Sequence, residues 1–213
     1  MDPYVYPGTN VLRNLRDIRD PDTPNEFEAE ATSRRIRQLE HKPLPGAFDT
    51  THLQAIHHHI FKDVFPWAGE FRTVNISRPD GVFAFREYIL PSLNKALGEL
   101  QKERCLSGTG LRRFSNRAAH YMGEINAIHP FRDGNGRSQR EFIRQLALRN
   151  GYALDWSRVS GERIYEGSRR SFQRGDNAGL EEAIRGGLDN ERNKAEEKNA
   201  SAFREWGDAE RER

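Results

Sequence analysis

Between His129 and Arg140 the chain reads His-Pro-Phe-Arg-Asp-Gly-Asn-Gly-Arg-Ser-Gln-Arg, which sets an imidazole, a carboxylate, a run of small residues and two guanidiniums in one short segment. Each has a use in handling phosphate. Gly134, Asn135 and Gly136 carry little side-chain bulk and tolerate positive φ, so consecutive backbone N–H groups could turn inward as an anion nest just ahead of a helix. Arg137 and Arg140 stand three apart at the start of that helix, share a face and could clamp further phosphoryl oxygens. Asp133 is a hard oxygen ligand suited to Mg2+, which takes one or two carboxylates and leaves the rest of its shell to phosphate and water. His129 can act as a base near neutral pH.

Rival uses of these residues fail on spacing. A calcium loop starting at Asp133 needs Asp or Asn at its fifth position and Glu at its twelfth, where Arg137 and Arg144 stand. A dinucleotide-binding G-x-G-x-x-G needs glycine where the chain has Gln139. Elsewhere, His57, His58 and His59 cannot all face one ion, because consecutive helical positions point about 100° apart, and they read as packing or surface residues. Cys105 has no identifiable activating base. Arg112 with Arg113 and Arg169 with Arg170 could form a basic patch, but balanced charge and the lack of a recognised motif argue against nucleic acid as a partner.

Two helices must position the segment. Leu111, Phe114, Ala118, Met122, Ile125 and Ile128 recur at steps of three and four and predict an amphipathic helix ending at His129–Pro130. Phe142, Ile143, Leu146 and Ala147 form one face of a second helix, closed by Asn150–Gly151. Upstream, Asn25–Glu40 lacks Gly and Pro and reads as a helix ended by the Lys42–Gly46 punctuation. Asp49, Thr50 and Thr51 offer N-caps to a helix carrying Leu53, Ile56, Ile60 and Phe61, and Pro91 can sit in the first turn of one carrying Leu93, Leu97 and Leu100.

Between those helices the period changes. Phe71 to Ser77 alternates in polarity, Arg78–Pro79–Asp80–Gly81 suits a type I turn and Val82–Phe85 follows, which predicts a small β-hairpin. The chain thus divides into an arm and helix over 1–48, a core over 49–155 and a helical continuation of the same domain over 156–189. The arm holds at most one brief helix in Val11–Ile18, and Gly161, Gly175 and Gly179 should break the continuation into short pieces. Residues 190–213 form a charged tail, helical or disordered.

The 213 residues suit one globular domain with extensions, and a net charge of +2 excludes a histone-like or acidic-tail role. A hydrophobic fraction of 35% with mean hydropathy −0.89 fits a helical core under a wide charged surface and excludes a membrane protein. The opening MDPYVYPGTN lacks the regions of a signal peptide, and the single cysteine forbids an internal disulfide, so a cytoplasmic location is expected.

HPFRDGNGRSQR matches the Fic family signature, H-x-F-x-[D/E]-G-N-G-R-x-x-R, at every specified position. YVYPGTNVLRN near the start, HHHIFKDVFPWAGEFRTVNIS before the hairpin and NAIHPF at the helix end also resemble the stand-alone bacterial Fic toxins, over most of residues 4–155. The resemblance implies an all-α fold, a Fic-type helical core with a small β-hairpin flap. It implies ATP as co-substrate with Mg2+, and transfer of AMP to a hydroxyl side chain of another protein with release of pyrophosphate. On the same resemblance, His129 deprotonates the target hydroxyl, Phe131 anchors the loop, and Asp133 holds Mg2+ between the α- and β-phosphates. Asn135 with Gly134 and Gly136 binds the α-phosphate, Arg137 the β- and Arg140 the γ-phosphate, and Asn126 helps close the nucleotide pocket. Thr73, Val74, Asn75, Ile76 and Ser77 of the flap would offer a strand edge to an extended target segment.

The related Doc branch has ANKR in place of GNGR and transfers a γ-phosphate, so the residues kept here imply the AMP-transferring orientation. Asp133 is the shorter of the two acids the signature allows, which implies a slightly altered metal position. The resemblance further implies a toxin acting on type II topoisomerase ATPase subunits, restrained by a separate small antitoxin through Arg140. The family's inhibitory helix carries [S/T]-x-x-x-E-[G/N]; the nearest segment here, Ser201 to Glu205, is followed by Trp206. Two alternatives are a catalytically silent protein-binding module of the same fold and an enzyme transferring a different phosphate-containing group.

Overall fold

The computed structural model describes residues 2–20, 26–79 and 81–188. Its helices are α1 (Glu26–His41), α2 (Thr50–Phe61), α3 (Ile89–Lys102), α4 (Leu111–Ile128), α5 (Asn135–Arg149), α6 (Gly161–Arg174) and α7 (Ala178–Leu188). An antiparallel hairpin, β1 (Ser77–Arg78) with β2 (Gly81–Val82), lies between α2 and α3, so the fold is all-α with one small flap. Asn25, Asp80 and the tail segment Ser201–Trp206 lie outside the described residues.

The helices form where their apolar stripes meet. Phe114, Ala118, Met122 and Ile125 of α4 face Phe142, Ile143, Leu146 and Ala147 of α5, with Leu53, Ile56, Ile60 and Phe61 of α2 packed against them, all buried. Each large apolar side chain so buried is worth ~1.5–3 kcal/mol, which makes this seam the main source of stability. The Asp49 carboxylate accepts from the His52 N–H at 2.8 Å and starts α2. The loop at 129–134 is held between α4 and α5, both anchored in this core.

The C-terminal region differs from the expected short pieces. Gly175, at φ 67°, does end α6, but Gly161 opens that helix and Gly179 lies inside α7. A Cβ on Gly167 would fall 2.8 Å from the Gly179 carbonyl carbon, so these glycines allow two helix backbones to touch. The arm, for which at most one brief helix was expected, holds none over its described residues. Val5 and Leu12 instead form an antiparallel bridge, and the arm's buried Tyr4 packs edge-on against Trp67 with ring centroids 5.3 Å apart.

The hairpin is shorter than its alternating sequence suggests, since Ser77 pairs with Val82 and Arg78 with Gly81 while residues 71–76 are not strand. Side chains occupy the backbone groups a partner strand would take. Thr73 N–H donates to the Tyr4 hydroxyl at 3.0 Å, Arg86 Nη1 donates to the Thr73 carbonyl at 2.9 Å, and Asn75 Oδ1 accepts from Arg86 N–H at 2.8 Å. Thr73, Asn75 and Ser77 are exposed whereas Val74 and Ile76 are half-buried, so the alternation reflects one-sided packing without a ladder.

Candidate active site

His129 caps the C-terminus of α4 in the left-handed conformation, at φ 50° and ψ 64°, and its N–H donates to the Ile125 carbonyl. Pro130 prevents the helix from continuing. The ring is buried and stacks on Phe83, 3.9 Å between centroids. Its Nδ1 lies 3.3 Å from the carbonyl oxygen of Asn126. A carbonyl only accepts, so Nδ1 carries the proton and Nε2 keeps its lone pair. Burial first, then the charge of Arg78 and of Arg72, lowers the His129 pKa to about 3, so the imidazole is neutral.

Phe131 is buried, and its main chain is gripped by Asn135. The side-chain Oδ1 accepts from Phe131 N–H at 2.9 Å, and Nδ2 donates to the Phe131 carbonyl at 2.8 Å. The Asn135 carboxamide is therefore committed to shaping the loop, which leaves its backbone N–H for the α-phosphate. The nest is also narrower than expected, because only Gly134 has positive φ, 79°, while Asn135 and Gly136 already belong to α5. Gly134 gives α5 no side-chain cap, so the helix's first N–H groups keep their capacity for an anion. A Cβ on Gly134 would lie 2.3 Å from the Phe61 ring, which fixes glycine there on two grounds.

The two motif arginines diverge. Arg140 lines a cavity of about 200 Å³ together with His129, Asn126 and Gly136. Its guanidinium has no ion pair among the described residues, and burial, then Arg137, lowers its pKa. An anion would relieve both effects. Arg137 does not line this cavity; its Nη2 sits 2.6 Å from Glu28 Oε1 of α1 and 3.3 Å from Asp133 Oδ2. Asn126 lines the cavity, and its Nδ2 donates to the Ser168 carbonyl at 3.0 Å, tying α4 to α6. Further walls come from Met122 of α4, Gln139 of α5 and Gly161, Ile164, Tyr165 and Ser168 of α6, with Arg78 contributed by the flap.

Asp133 leaves its carboxylate 43% exposed, with Arg137 as its ion-pair partner. No group of three His, Cys, Asp or Glu that could hold a metal exists among the described residues. A lone accessible carboxylate beside an anion cradle fits an ion that completes its shell with phosphate and water.

Three supporting residues escaped the sequence reading. His57 is buried, its ring 3.8 Å from that of Phe131; it accepts at Nδ1 from Gly69 N–H at 2.8 Å, so Nε2 carries the proton it donates to the Asp133 carbonyl at 3.0 Å. Burial lowers its pKa to about 3. Arg72 is buried and donates to the carbonyls of His129 at 2.8 Å, Val74 at 2.7 Å and Ile128 at 3.2 Å, which ties the flap root to the end of α4. Arg78 brings a flap charge to His129. Each lies far from the motif in sequence, and the packing of buried His57 or Arg72 has no local signal. Cys105 is buried with its thiol pKa raised, the reverse of an activated nucleophile.

Known proteins resemble the chain in both sequence and fold. The Fic/DOC family profile matches residues 47–147. The chain is 40% identical to the probable protein adenylyltransferase y4lH of Sinorhizobium fredii, over 86% of this chain and 94% of that protein. It is 40% identical to the protein adenylyltransferase VbhT of Bartonella schoenbuchensis over 80% of this chain, and spans 36% of that longer protein. The crystal structure of the translocated effector BepC from Bartonella tribocorum, with AMPPNP bound, superimposes with a TM-score of 0.77 at 27% identity, covering 85% of this chain and 93% of that one. The chain belongs to the Fic/DOC family.

Proposed function

We propose that this chain transfers the AMP moiety of ATP to a hydroxyl side chain of a target protein, with pyrophosphate as the leaving group. One observation carries the reading: a neutral imidazole whose Nε2 keeps its lone pair and an arginine without a counter-ion among the described residues line the same small cavity at the start of α5. A base and a poised cation beside helix N–H groups are what in-line attack on a phosphate requires.

In this mechanism the target hydroxyl gives its proton to Nε2 of His129 as its oxygen attacks the α-phosphorus. The bond to the β-phosphate oxygen breaks, and pyrophosphate departs toward the arginines. The α5 N-terminal N–H groups hold the α-phosphate, Arg140 holds the γ-phosphate, and Arg137, already oriented by Glu28, reaches the β-phosphate. Asp133 would hold Mg2+, which supplies charge neutralisation across the α- and β-phosphates. The negative charge arriving beside Arg78 raises the basicity of His129 from its low resting value.

The target docks in extended form on the flap, where Val82 and Phe85 are exposed apolar side chains at 59% and 49%. The finer reading, a cytoplasmic toxin acting on type II topoisomerase ATPase subunits and restrained by a small antitoxin, is supported by the resemblance of residues 4–155 to stand-alone toxins. Among the described residues no helix is long and apolar enough to cross a membrane. The test is incubation of the purified chain with Mg2+, ATP and a bacterial lysate, followed by peptide mass spectrometry. AMP on a Ser, Thr or Tyr oxygen, absent with His129→Ala, is the expected result; no modified peptide in any lysate would favour the silent protein-binding module.

A further inference from the structure

The flap contributes Arg78 to the cavity of about 200 Å³ that His129 and Arg140 line, and the motif gives this residue no task. Its guanidinium carbon lies 5.3 Å from the centre of the Phe83 ring, and that ring stacks on His129 at 3.9 Å. One aromatic ring thus meets both the charge and the base. The Arg78 charge is also the largest cause, after burial, of the lowered His129 pKa, as expected of a cation close to the imidazole.

Ion pairing sorts the arginines around the phosphate site. Arg137 is matched by Glu28 and Asp133. Arg78 and Arg140 have no ion pair among the described residues, and both line the cavity. A small cleft lined by unpaired charges of one sign focuses their field on an anion, which here is the phosphate chain. The two cations serve different parts of it. Arg140 stands more than a turn into α5, beyond the first N–H groups, whereas Arg78 stands by His129. His129 must be within hydrogen-bond reach of the hydroxyl that attacks the α-phosphorus, so a cation near it is near the reacting phosphate.

We propose that Arg78 binds the α-phosphate of ATP from the flap, sharing it with the first N–H groups of α5. The inference rests on the AMP-transfer reading above and adds to the reacting phosphate a residue outside the motif. A planar guanidinium donates two N–H groups in a fork, which suits the non-bridging oxygens of one phosphate. Arg78 pairs with Gly81 in the hairpin, so the same contact ties the bound nucleotide to the flap on which the target docks.

The test is calorimetric titration of the full chain with ADP and with ATP in Mg2+, for wild type, Arg78→Gln and Arg140→Gln. Arg78 is exposed and its side chain is unpaired, so its replacement leaves the fold intact. Arg78→Gln should weaken both nucleotides by the same factor, at least about tenfold, because both carry the α-phosphate. Arg140→Gln, placed at the γ-phosphate, should weaken ATP more than ADP. Unchanged affinity in Arg78→Gln overturns the inference. So does a loss greater for ATP than for ADP, which marks a γ-phosphate contact or a diffuse field, and so does a wild type that binds ATP but not ADP. Failure of wild type to bind either nucleotide would instead remove the reading on which the inference rests.

Discussion

Nδ1 of His129 donates to the carbonyl of Asn126, one helical turn earlier in α4, at 3.3 Å. That bond places the lone pair on Nε2 by tautomer choice alone. It also depends on the left-handed backbone of His129, an uncommon conformation for a residue with a Cβ, which turns the ring out of the helix and into the cavity.

The first expectation concerns protonation. Burial and the nearby Arg78 hold His129 at a pKa of about 3, against about 6.5 for a free imidazole. An NMR titration of the free chain should find this ring neutral from pH 8 down to about pH 4, and saturating ATP should move its titration upward. A free-chain midpoint near 6.5 would show the ring to be solvated, contrary to its stacking on Phe83.

The same shifts govern acid stability. His57 and His129 both fall to about 3 when folded, so below about pH 6.5 the unfolded chain binds more protons than the native one. Their contribution is complete above that pH and is lost as the pH falls toward 3, by about 2 kcal/mol per histidine at pH 5. Asp63, lowered to about 2 chiefly by its hydrogen bond with Arg35, adds its own loss as the pH falls from the ordinary aspartate value of 3.8 toward 2. Denaturant melts at pH 7 and pH 5 should show a drop of that size, smaller in His129→Ala. A pH-independent melt over this window would contradict the burial of both rings.

The motif and the helices around it were legible because their signals are local. The step pattern of Leu111 to Ile128 located α4, and the Pro-Gly punctuation located the loop. The hairpin was legible but its strands are shorter than alternation suggests, because Tyr4, distant in sequence, and Arg86, just past the flap, take backbone bonds of Thr73 that alternation alone assigns to a ladder. The structural task of the Asn135 side chain was not legible for a similar reason: its hydrogen bonds close on the main chain of Phe131, a pairing that only the folded loop creates. The separation of Arg137 from Arg140 depended on Glu28, in a helix whose register against α5 no motif encodes.

Gly134 gives a sharp steric expectation. Gly134→Ala puts a Cβ 2.3 Å from the Phe61 ring and forces an L-residue to φ 79°, which together should cost about 2–4 kcal/mol. Chemical denaturation measures the loss. Adding Phe61→Ala should leave the backbone strain in place, and a single variant as stable as wild type would mean that the loop is not held against α2.

Asp133→Ala separates charge from packing. The carboxylate is 43% exposed and Arg137 keeps Glu28 as a partner, so the melting temperature should change by no more than a few degrees. Transfer activity should be lost, because the only loop carboxylate offered to Mg2+ is gone. Undiminished transfer by the variant, or by wild type in EDTA, would remove Asp133 and the metal from the mechanism.

The most direct measurement is a paired labelling experiment in which the chain, Mg2+ and lysate receive ATP labelled at either the α- or the γ-phosphate. AMP transfer requires the α-label to appear on protein, the γ-label to leave with pyrophosphate, and His129→Ala to abolish the signal. Label reaching protein only from the γ-phosphate would contradict the account and make the chain a kinase.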